Sequence, residues 1–352
     1  MDTYLINIIF KEKIMKKLII SLLILSVCIF AGCDSSGSSD TAALIPAGGY
    51  YSSYDEATST CTVYNGGEPF PATMNDGDCY IYGGYLYVLD KTPGHPAGWY
   101  VFCATQADGF YFTGVDLSAL PADPDYITAI PGPILDKVNG KPVLYMGGGP
   151  RDLGGTFMLS KITSLAGLEI PSSVICIDGL FQFCTELTTA SLAGFEIPSG
   201  IKTISSLFRG CTGFTGEISL DIPAGVEEAG LLFQDCSNVT SIVTALPEGV
   251  KYVTQMFYGC TSLTTLPANF TIPSSVTTMN NMFTGCAALT DCTIIVNTTA
   301  ANIGYGYHDS FYNAGAPAPA TGITVVCDDA ALTANLSASV DSGHVTFTTS
   351  TP

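Results

Sequence analysis

The sequence predicts a mainly β protein, in which a solenoid of short stacked repeats follows a small β-rich module. Two observations lead to this prediction. A motif recurs five times in the second half of the chain, and closely spaced tyrosines alternate with apolar residues in the first half. About 320 residues beyond a predicted leader are enough for two or more structural units.

The repeated motif is Pro-x2-[Val/Ile]-x6-Phe-x2-Cys. In every copy the Cys lies 13 positions after the Pro, whereas the next Pro follows the Cys by 11 to 14 positions. A constant half and a variable half are typical of a stacked solenoid, because the stacking half must keep its register while loops at one edge vary. The Phe and Cys of each copy are predicted to be core side chains: Phe181, Phe208, Phe233, Phe257, Phe283, Cys184, Cys211, Cys236, Cys260 and Cys286.

Two periodicities follow one another within each copy. Apolar residues alternate around the Pro, as they do around Pro273, and this predicts a short strand with one buried face. Apolar residues then recur at i, i+3, i+4 and i+7, for example from Met279 to Cys286, and this predicts a short helical or 3-10 turn. Each repeat is therefore predicted to be one strand plus one such turn.

A degenerate sixth copy occupies residues 310–314, where Ala replaces Cys, and the apolar segment 323–327 follows it. Terminal repeats are expected to be atypical because the last one must face water. The sequence thus predicts five repeats over 166–295 and a degenerate repeat with a C-terminal cap over 296–352.

The stretches IPSSVTTMNNMFTGCAAL (272–289) and LPEGVKYVTQMFYGCTSL (246–263) resemble the BspA-type leucine-rich repeats of bacterial surface proteins. The resemblance covers about residues 165–295. It implies a leucine-rich-repeat-like solenoid, a cell-surface location and a role in adhesion to host proteins or other cells. It supplies no catalytic residue.

The N-terminus predicts export. Met15-Lys16-Lys17 precede 13 mostly apolar residues, too few to span a bilayer, and Ala31-Gly32-Cys33 follow. Residues 1–32 are predicted to be a signal peptide, with Met15 as an alternative true start. The Cys after Ala-Gly resembles a lipoprotein signal, which implies lipid attachment at Cys33. The expected location is the cell envelope, at the outer membrane or cell surface. The alternative is an ordinary signal peptide that leaves Cys33 free.

Residues 33–45 are rich in Ser, Gly and Asp and are predicted to be a flexible tether. The formal net charge of the chain is −19, which excludes a nucleic-acid binder in the usual electrostatic mode. It also argues against flat binding to anionic lipid, so membrane contact is expected through the lipid anchor alone. Basic partners are favoured, although solubility alone also explains an acidic surface.

Residues 46–125 are predicted to form a separate β-rich module, and residues 126–165 a linker and N-terminal cap. A Gly-Gly pair between two alternating runs predicts a hairpin whose four tyrosines share one face. This face either packs against other parts of the protein or forms an exposed platform for sugar or protein. The candidate binding residues are Tyr80, Tyr82, Tyr85 and Tyr87.

The position two residues before the repeat Pro is acidic in the first three copies, at Glu169, Glu196 and Asp221. Alternation turns this position outward, so the three carboxylates are expected to stack about 4.8 Å apart on one strip. Such a strip suits a basic partner or Ca²⁺. The alternative is three solvated side chains on an acidic protein.

Ten of the 13 cysteines fall into three groups, and Cys176, Cys292 and Cys327 stay unassigned. Cys28 and Cys33 belong to the leader and the lipid site. The five repeat cysteines are predicted to be buried free thiols. One disulfide bridge is allowed among Cys61, Cys79 and Cys103, with the pairing left open.

No motif predicts catalysis, metal binding or another cofactor. The chain has three His, none in a metal-binding pair, and lacks a nucleophile elbow and a phosphate-binding loop. The prediction is a surface lipoprotein that recognises an extracellular protein or a cell through its repeats. One alternative is a carbohydrate-binding surface protein for nutrient capture that uses the tyrosine-rich module. The other is a structural envelope protein.

Overall fold

The computed structural model describes residues 43–55, 60–104, 120–124, 127–149, 154–315, 322–340 and 344–350. Residues 1–42, including Cys33, lie outside this part. The helices of the described residues are α1 (Ala300–Ile303), α2 (Ala330–Ala338) and a 3-10 helix at Thr189–Leu192. The strands are β1 (Tyr50–Asp55), β2 (Thr60–Asn65), β3 (Cys79–Tyr82), β4 (Tyr85–Asp90), β5 (Gly98–Cys103), β6 (Lys137–Val138), β7 (Lys141–Tyr145), β8 (Gly216–Ser219), β9 (Val239–Val243), β10 (Phe270–Ile272), β11 (Thr293–Val296), β12 (Ile323–Cys327) and β13 (Val345–Thr348).

The N-terminal strands form one seven-stranded sheet in the order β2-β1-β3-β4-β5-β7-β6. The predicted hairpin is confirmed: Tyr80 faces Tyr87 across β3 and β4, and both glycines of the connecting turn have positive φ angles, as a type I′ turn requires. The tyrosine side packs into the main core. Ile81 and Leu86, on the other side, belong to a small separate cluster.

This sheet continues into the repeats. β5 pairs with β7 in parallel, and Tyr145 at the end of β7 forms a parallel bridge with Cys176 in the first repeat. The segment predicted as linker and cap therefore supplies two strands. It also supplies an additional repeat level, because Phe157 stacks on Phe181.

The repeats stack in parallel, but their turns are not the predicted helical ones. In the second copy, the amides of Ser206, Phe208 and Gly210 donate to carbonyls of the next repeat. The amides between them donate to the residue three positions earlier in the same repeat. An α-helix satisfies its amides within itself, so it cannot supply the bonds between repeats. The apolar stripe is instead produced by successive β-turns.

Two left-handed residues in each turn produce this alternation. They lie two positions before and two positions after the repeat Phe, as in Gln255 (φ 55°) and Gly259 (φ 71°) of the fourth copy. The second position is Gly in three of the five copies, at Gly210, Gly259 and Gly285. Glycine adopts this conformation without steric cost, which explains its place before the Cys.

The repeat Phe side chains form a single column of near-parallel rings, and all of them are fully buried. Adjacent ring centroids are 5.3 to 6.2 Å apart. The column contains one more ring at each end than the five predicted copies. Its members are Phe157, Phe181, Phe208, Phe233, Phe257, Phe283 and Phe311.

Each repeat Cys bonds to the previous repeat. The thiol of Cys236 lies 3.1 Å from the carbonyl of Phe208, and that of Cys260 lies 3.1 Å from the carbonyl of Phe233. All five repeat cysteines are buried free thiols, as predicted. At this position each repeat therefore has a small side chain whose thiol, a weak hydrogen-bond donor, reaches a backbone carbonyl of the neighbouring repeat.

The predicted strand around each Pro is mostly absent. β10 directly precedes Pro273, but β8 and β9 end upstream of Pro223 and Pro247, and the segments before the first two repeat prolines are irregular. The variable lengths of the Cys-to-Pro halves prevent these segments from sharing one strand register.

The C-terminal part closes the stack. β10 to β13 form a parallel sheet in chain order, and the degenerate copy continues the repeat, because the Phe283 amide donates to the Ser310 carbonyl at 2.8 Å. Helix α2 is N-capped by Asp329 and buries Leu332 and Leu336. The described residues contain no helix that is long and apolar enough to cross a membrane.

Candidate recognition surface

Two columns of outward residues run along the repeats, at four and five positions after each Pro. Parallel bridges join the second column from Cys176 to Thr278. Amide bonds join the first column: the Glu227 amide donates to the Lys202 carbonyl at 2.8 Å, and the Lys251 amide donates to the Glu227 carbonyl at 2.8 Å. We call the exposed and half-buried part of both columns the ladder face. It consists of Lys202, Thr203, Glu227, Glu228, Lys251, Tyr252, Thr277, Thr278 and Tyr305.

Charges alternate along the first column. The Lys251 ammonium lies 2.6 Å from the Glu227 carboxylate, and both side chains are about half exposed (48% and 45%). Lys251 lowers the pKa of Glu227, and Glu227 in turn raises the pKa of Lys251. Because such an exposed pair is screened by solvent, it contributes little to folding. It does fix the positions of charges that a partner would meet.

The ladder face also carries exposed tyrosines. Tyr252 is 43% exposed and Tyr305 is 81% exposed. Tyr305 belongs to the first column because the Met279 amide donates to the Gly306 carbonyl and so extends the ladder by one level. A side chain at Gly306 would lie 2.5 Å from the Thr277 carbonyl oxygen, so only glycine lets this segment lie flat on the repeat below.

The Tyr305 ring has an aromatic neighbour on its own segment. It lies parallel to the His308 ring (2° between planes, 6.3 Å between centroids), and the Tyr307 ring lies 5.0 Å from that of His308. Exposed tyrosines offer large contact areas and are frequent hot spots in protein interfaces. The sequence prediction missed this group.

Counting back from the degenerate copy would have located it. Tyr305 lies six residues before Phe311, as Lys251 lies six residues before Phe257. The absence of the usual Pro from this copy concealed the correspondence.

The predicted tyrosine platform is wrong, because its face is buried. Tyr80, Tyr85 and Tyr87 are at most 1% exposed, and Tyr82 is partly buried against the same core. The Tyr85 hydroxyl donates to the Gly132 carbonyl at 2.8 Å, and the Leu135 amide donates to the Tyr87 hydroxyl at 3.1 Å. Burial raises the pKa of Tyr87 to about 12. Residues far along the chain cover this face.

The three predicted acidic residues, Glu169, Glu196 and Asp221, are exposed. They lie in irregular segments rather than strands, so the strand argument for their regular stacking does not hold. The described residues contain no group of three or more His, Cys, Asp or Glu side chains that can hold a metal ion. The Ca²⁺ alternative for this strip therefore has no structural support.

A buried carboxyl and thiol lie where the N-terminal sheet meets the repeats. Asp178 accepts hydrogen bonds from the Thr203 hydroxyl and, at 2.7 Å, from the Ser205 amide, yet burial raises its pKa to about 6. The Cys176 thiol donates to the Gly147 carbonyl at 2.9 Å, and burial raises its pKa too. A raised pKa favours the protonated thiol, which is the less reactive form of a cysteine.

Of the three cysteines in the predicted disulfide, the structure describes the side chains of Cys79 and Cys103. Cys79 and Cys103 are buried in two different apolar clusters. The side chain of Cys61 lies outside the described residues, so a bridge to it stays a prediction.

Comparison with known proteins identifies the repeats. Residues 188–313 match the model of the BspA type leucine rich repeat region in six copies. Neither the curated proteins nor the solved structures gave a match. The matched range ends at the degenerate copy, at Asn313, as does the stacking of successive turns. The repeats of residues 188–313 are BspA-type leucine-rich repeats.

Proposed function

We propose that this protein is an exported, lipid-anchored surface protein whose repeats form one solenoid that recognises another protein. The observation that carries the proposal is the ladder face. It is continuous over successive BspA-type repeats, and it presents fixed charges together with the exposed Tyr252 and Tyr305. A long surface of this kind suits macromolecular recognition rather than catalysis.

Adhesion to an extracellular protein is the activity we propose for this face. The net charge of −19 favours a partner with a basic surface, because complementary charge accelerates association. The carbohydrate alternative was based on the hairpin tyrosines, and their burial removes that surface.

The test is binding of the labelled protein to a panel of extracellular-matrix proteins, alongside a glycan array. For any protein that binds, the double variant Tyr252→Ala, Tyr305→Ala is expected to bind at least about tenfold more weakly, since tyrosines are common hot spots. Val243→Ala is the matched control, because Val243 is equally exposed (43%) but lies in β9, away from the ladder face.

Three outcomes would count against the proposal. Equal binding by the double variant and the wild type would exclude the ladder face. Binding to glycans without binding to any protein would exclude a protein partner, and no binding on either panel would favour a purely structural envelope role.

The membrane anchor is tested separately. Cys33→Ser is expected to release the protein from the membrane fraction and to remove the mass of the lipid from the mature N-terminus. A membrane-bound Cys33→Ser protein, or a wild-type N-terminus that carries no lipid, would show that the anchor is not at Cys33.

A further inference from the structure

Two neighbouring repeats carry the same eight-residue motif, SLAGLEIP at 164–171 and SLAGFEIP at 191–198. The Ser-Leu-Ala-Gly part occurs before none of the other three repeat prolines. Both copies lie side by side and together line a pocket of about 270 Å³. Since the motif is confined to the two repeats that form the pocket, the pocket is a local feature of the sequence rather than a property of every repeat.

The walls of the pocket are two equivalent turns held together by a hydrogen bond. The Leu168 amide donates to the Leu165 carbonyl at 3.0 Å, and the Phe195 amide donates to the Leu192 carbonyl at 3.0 Å. The Ser191 hydroxyl of the second turn donates to the Thr163 carbonyl beside the first turn, at 2.7 Å. The pocket is therefore preorganised.

The lining combines apolar side chains with one uncompensated charge. Leu168, Ile170 and Phe195 are partly buried and leave apolar surface at the pocket. Glu196 is the only charged residue of the lining, and its side chain is exposed. No described residue forms a hydrogen bond or ion pair with the Glu196 carboxylate. The equivalent residue of the first motif, Glu169, adds a second exposed carboxylate beside the lining residues.

We propose that this pocket binds a single lysine or arginine side chain of a partner protein. The methylene stem would lie on the apolar wall, and the cationic head would pair with Glu196, as long basic side chains do when their stems are buried. The volume is below the range of about 300 to 1,000 Å³ that is usual for small-molecule sites, so it fits one side chain better than a cofactor. The net charge of −19 favours a basic partner.

This site is distinct from the ladder face, because the variable Cys-to-Pro loops form it. Its test does not depend on knowing the partner. The probes are end-blocked peptides of sequence Gly-Ser-Lys-Ser-Gly and variants in which the central lysine is replaced by arginine, norleucine or glutamate. Binding is followed by amide chemical shifts in NMR spectra of the full chain carrying Cys33→Ser.

The lysine and arginine peptides are expected to give saturable shifts within 164–171 and 191–198. Norleucine, which keeps the stem but not the charge, is expected to bind about threefold to fivefold more weakly, the usual size of an exposed ion pair. Glu196→Gln should remove this preference. Glu248→Gln, which neutralises an exposed carboxylate in a different loop, should leave it intact.

Four results would overturn the proposal. They are an absence of localised shifts with any peptide, equal affinity for lysine and norleucine, tighter binding of the glutamate peptide, and an equal loss of preference in Glu196→Gln and Glu248→Gln. The last result would show a general effect of negative charge rather than a site. Because Glu196 is exposed, an unchanged melting temperature is expected for its variant.

Discussion

The column of stacked phenylalanines makes a quantitative prediction for Phe257→Ala. The Phe257 ring lies between those of Phe233 (6.2 Å) and Phe283 (5.3 Å), and the Phe270 ring meets it edge-on at 5.9 Å. Truncation of a fully buried Phe to Ala typically costs about 3–5 kcal/mol. Here the cavity cannot collapse easily, because backbone hydrogen bonds on both sides fix the neighbouring repeats. We therefore expect a loss near the upper end, about 4–5 kcal/mol.

The measurement is urea unfolding followed by circular dichroism, with the free energy of unfolding obtained by linear extrapolation. Tyr305→Ala is the control. It also removes an aromatic ring from the array, but that ring is 81% exposed, so its loss should change stability by less than about 0.5 kcal/mol. Phe257→Leu should fall between the two, because it keeps most of the volume but not the ring contacts.

A loss below about 1 kcal/mol for Phe257→Ala would refute the reasoning, since truncation of a buried Phe typically costs about 3–5 kcal/mol. An equal loss of stability in Phe257→Ala and Tyr305→Ala would refute the reasoning as well, because the larger loss is expected from the burial of Phe257.

Two further predictions follow from pKa values. The five repeat thiols should resist iodoacetamide in the folded protein at pH 8 and react only in denaturant. The reason is that burial raises the pKa of Cys184 to about 11 and that of Cys236 to about 12. Labelling of Cys236 in the native protein, seen by peptide mass spectrometry, would contradict this. Burial raises the pKa of Asp178 to about 6, so the folded state binds the proton more tightly than the unfolded state does. The stability gained from this protonation is full below about pH 4 and is lost as the pH rises through 6. Asp178→Asn keeps a hydrogen-bond acceptor without the charge. This variant should be about 1 to 3 kcal/mol more stable than wild type at pH 8 and nearly equal in stability at pH 4. A variant less stable than wild type at pH 8 would show that the carboxylate is needed there.

The sequence predicted the repeats because their spacing is constant where they stack. The interval of 13 residues from Pro to Cys identified every core Phe and Cys of the five copies. The same pattern could not distinguish helical turns from successive β-turns, since both place apolar residues three or four positions apart. The deciding features are the left-handed residues on either side of the Phe, and several of them, such as Gln255, are not glycine.

The first additional level of the stack, that of Phe157, escaped prediction, and the last, that of Phe311, was predicted only as a degenerate copy, because both motifs are incomplete. Ser160 replaces the Cys in the first level and Ala314 replaces it in the last, and neither level has the usual Pro. The N-terminal substitution has a physical reason. Each repeat thiol donates to the Phe carbonyl of the preceding level, and among the described residues no Phe ring precedes Phe157 in the column. Ser160 instead lies 3.4 Å from the Cys184 sulfur.

The buried tyrosines also follow from the structure of the stack. A column of aromatic rings must end, and its first ring, Phe157, meets the Tyr85 ring edge-on at 6.4 Å. The Cys103 amide of β5 donates to the Thr156 carbonyl at 3.1 Å, which fixes the sheet against the same level. The hairpin tyrosines therefore cover the end of the array, and local alternation could show that they share a face but not what covers that face. Because this face closes the core, both recognition surfaces that we propose, the ladder face and the pocket between the two Ser-Leu-Ala-Gly loops, lie on the repeats themselves.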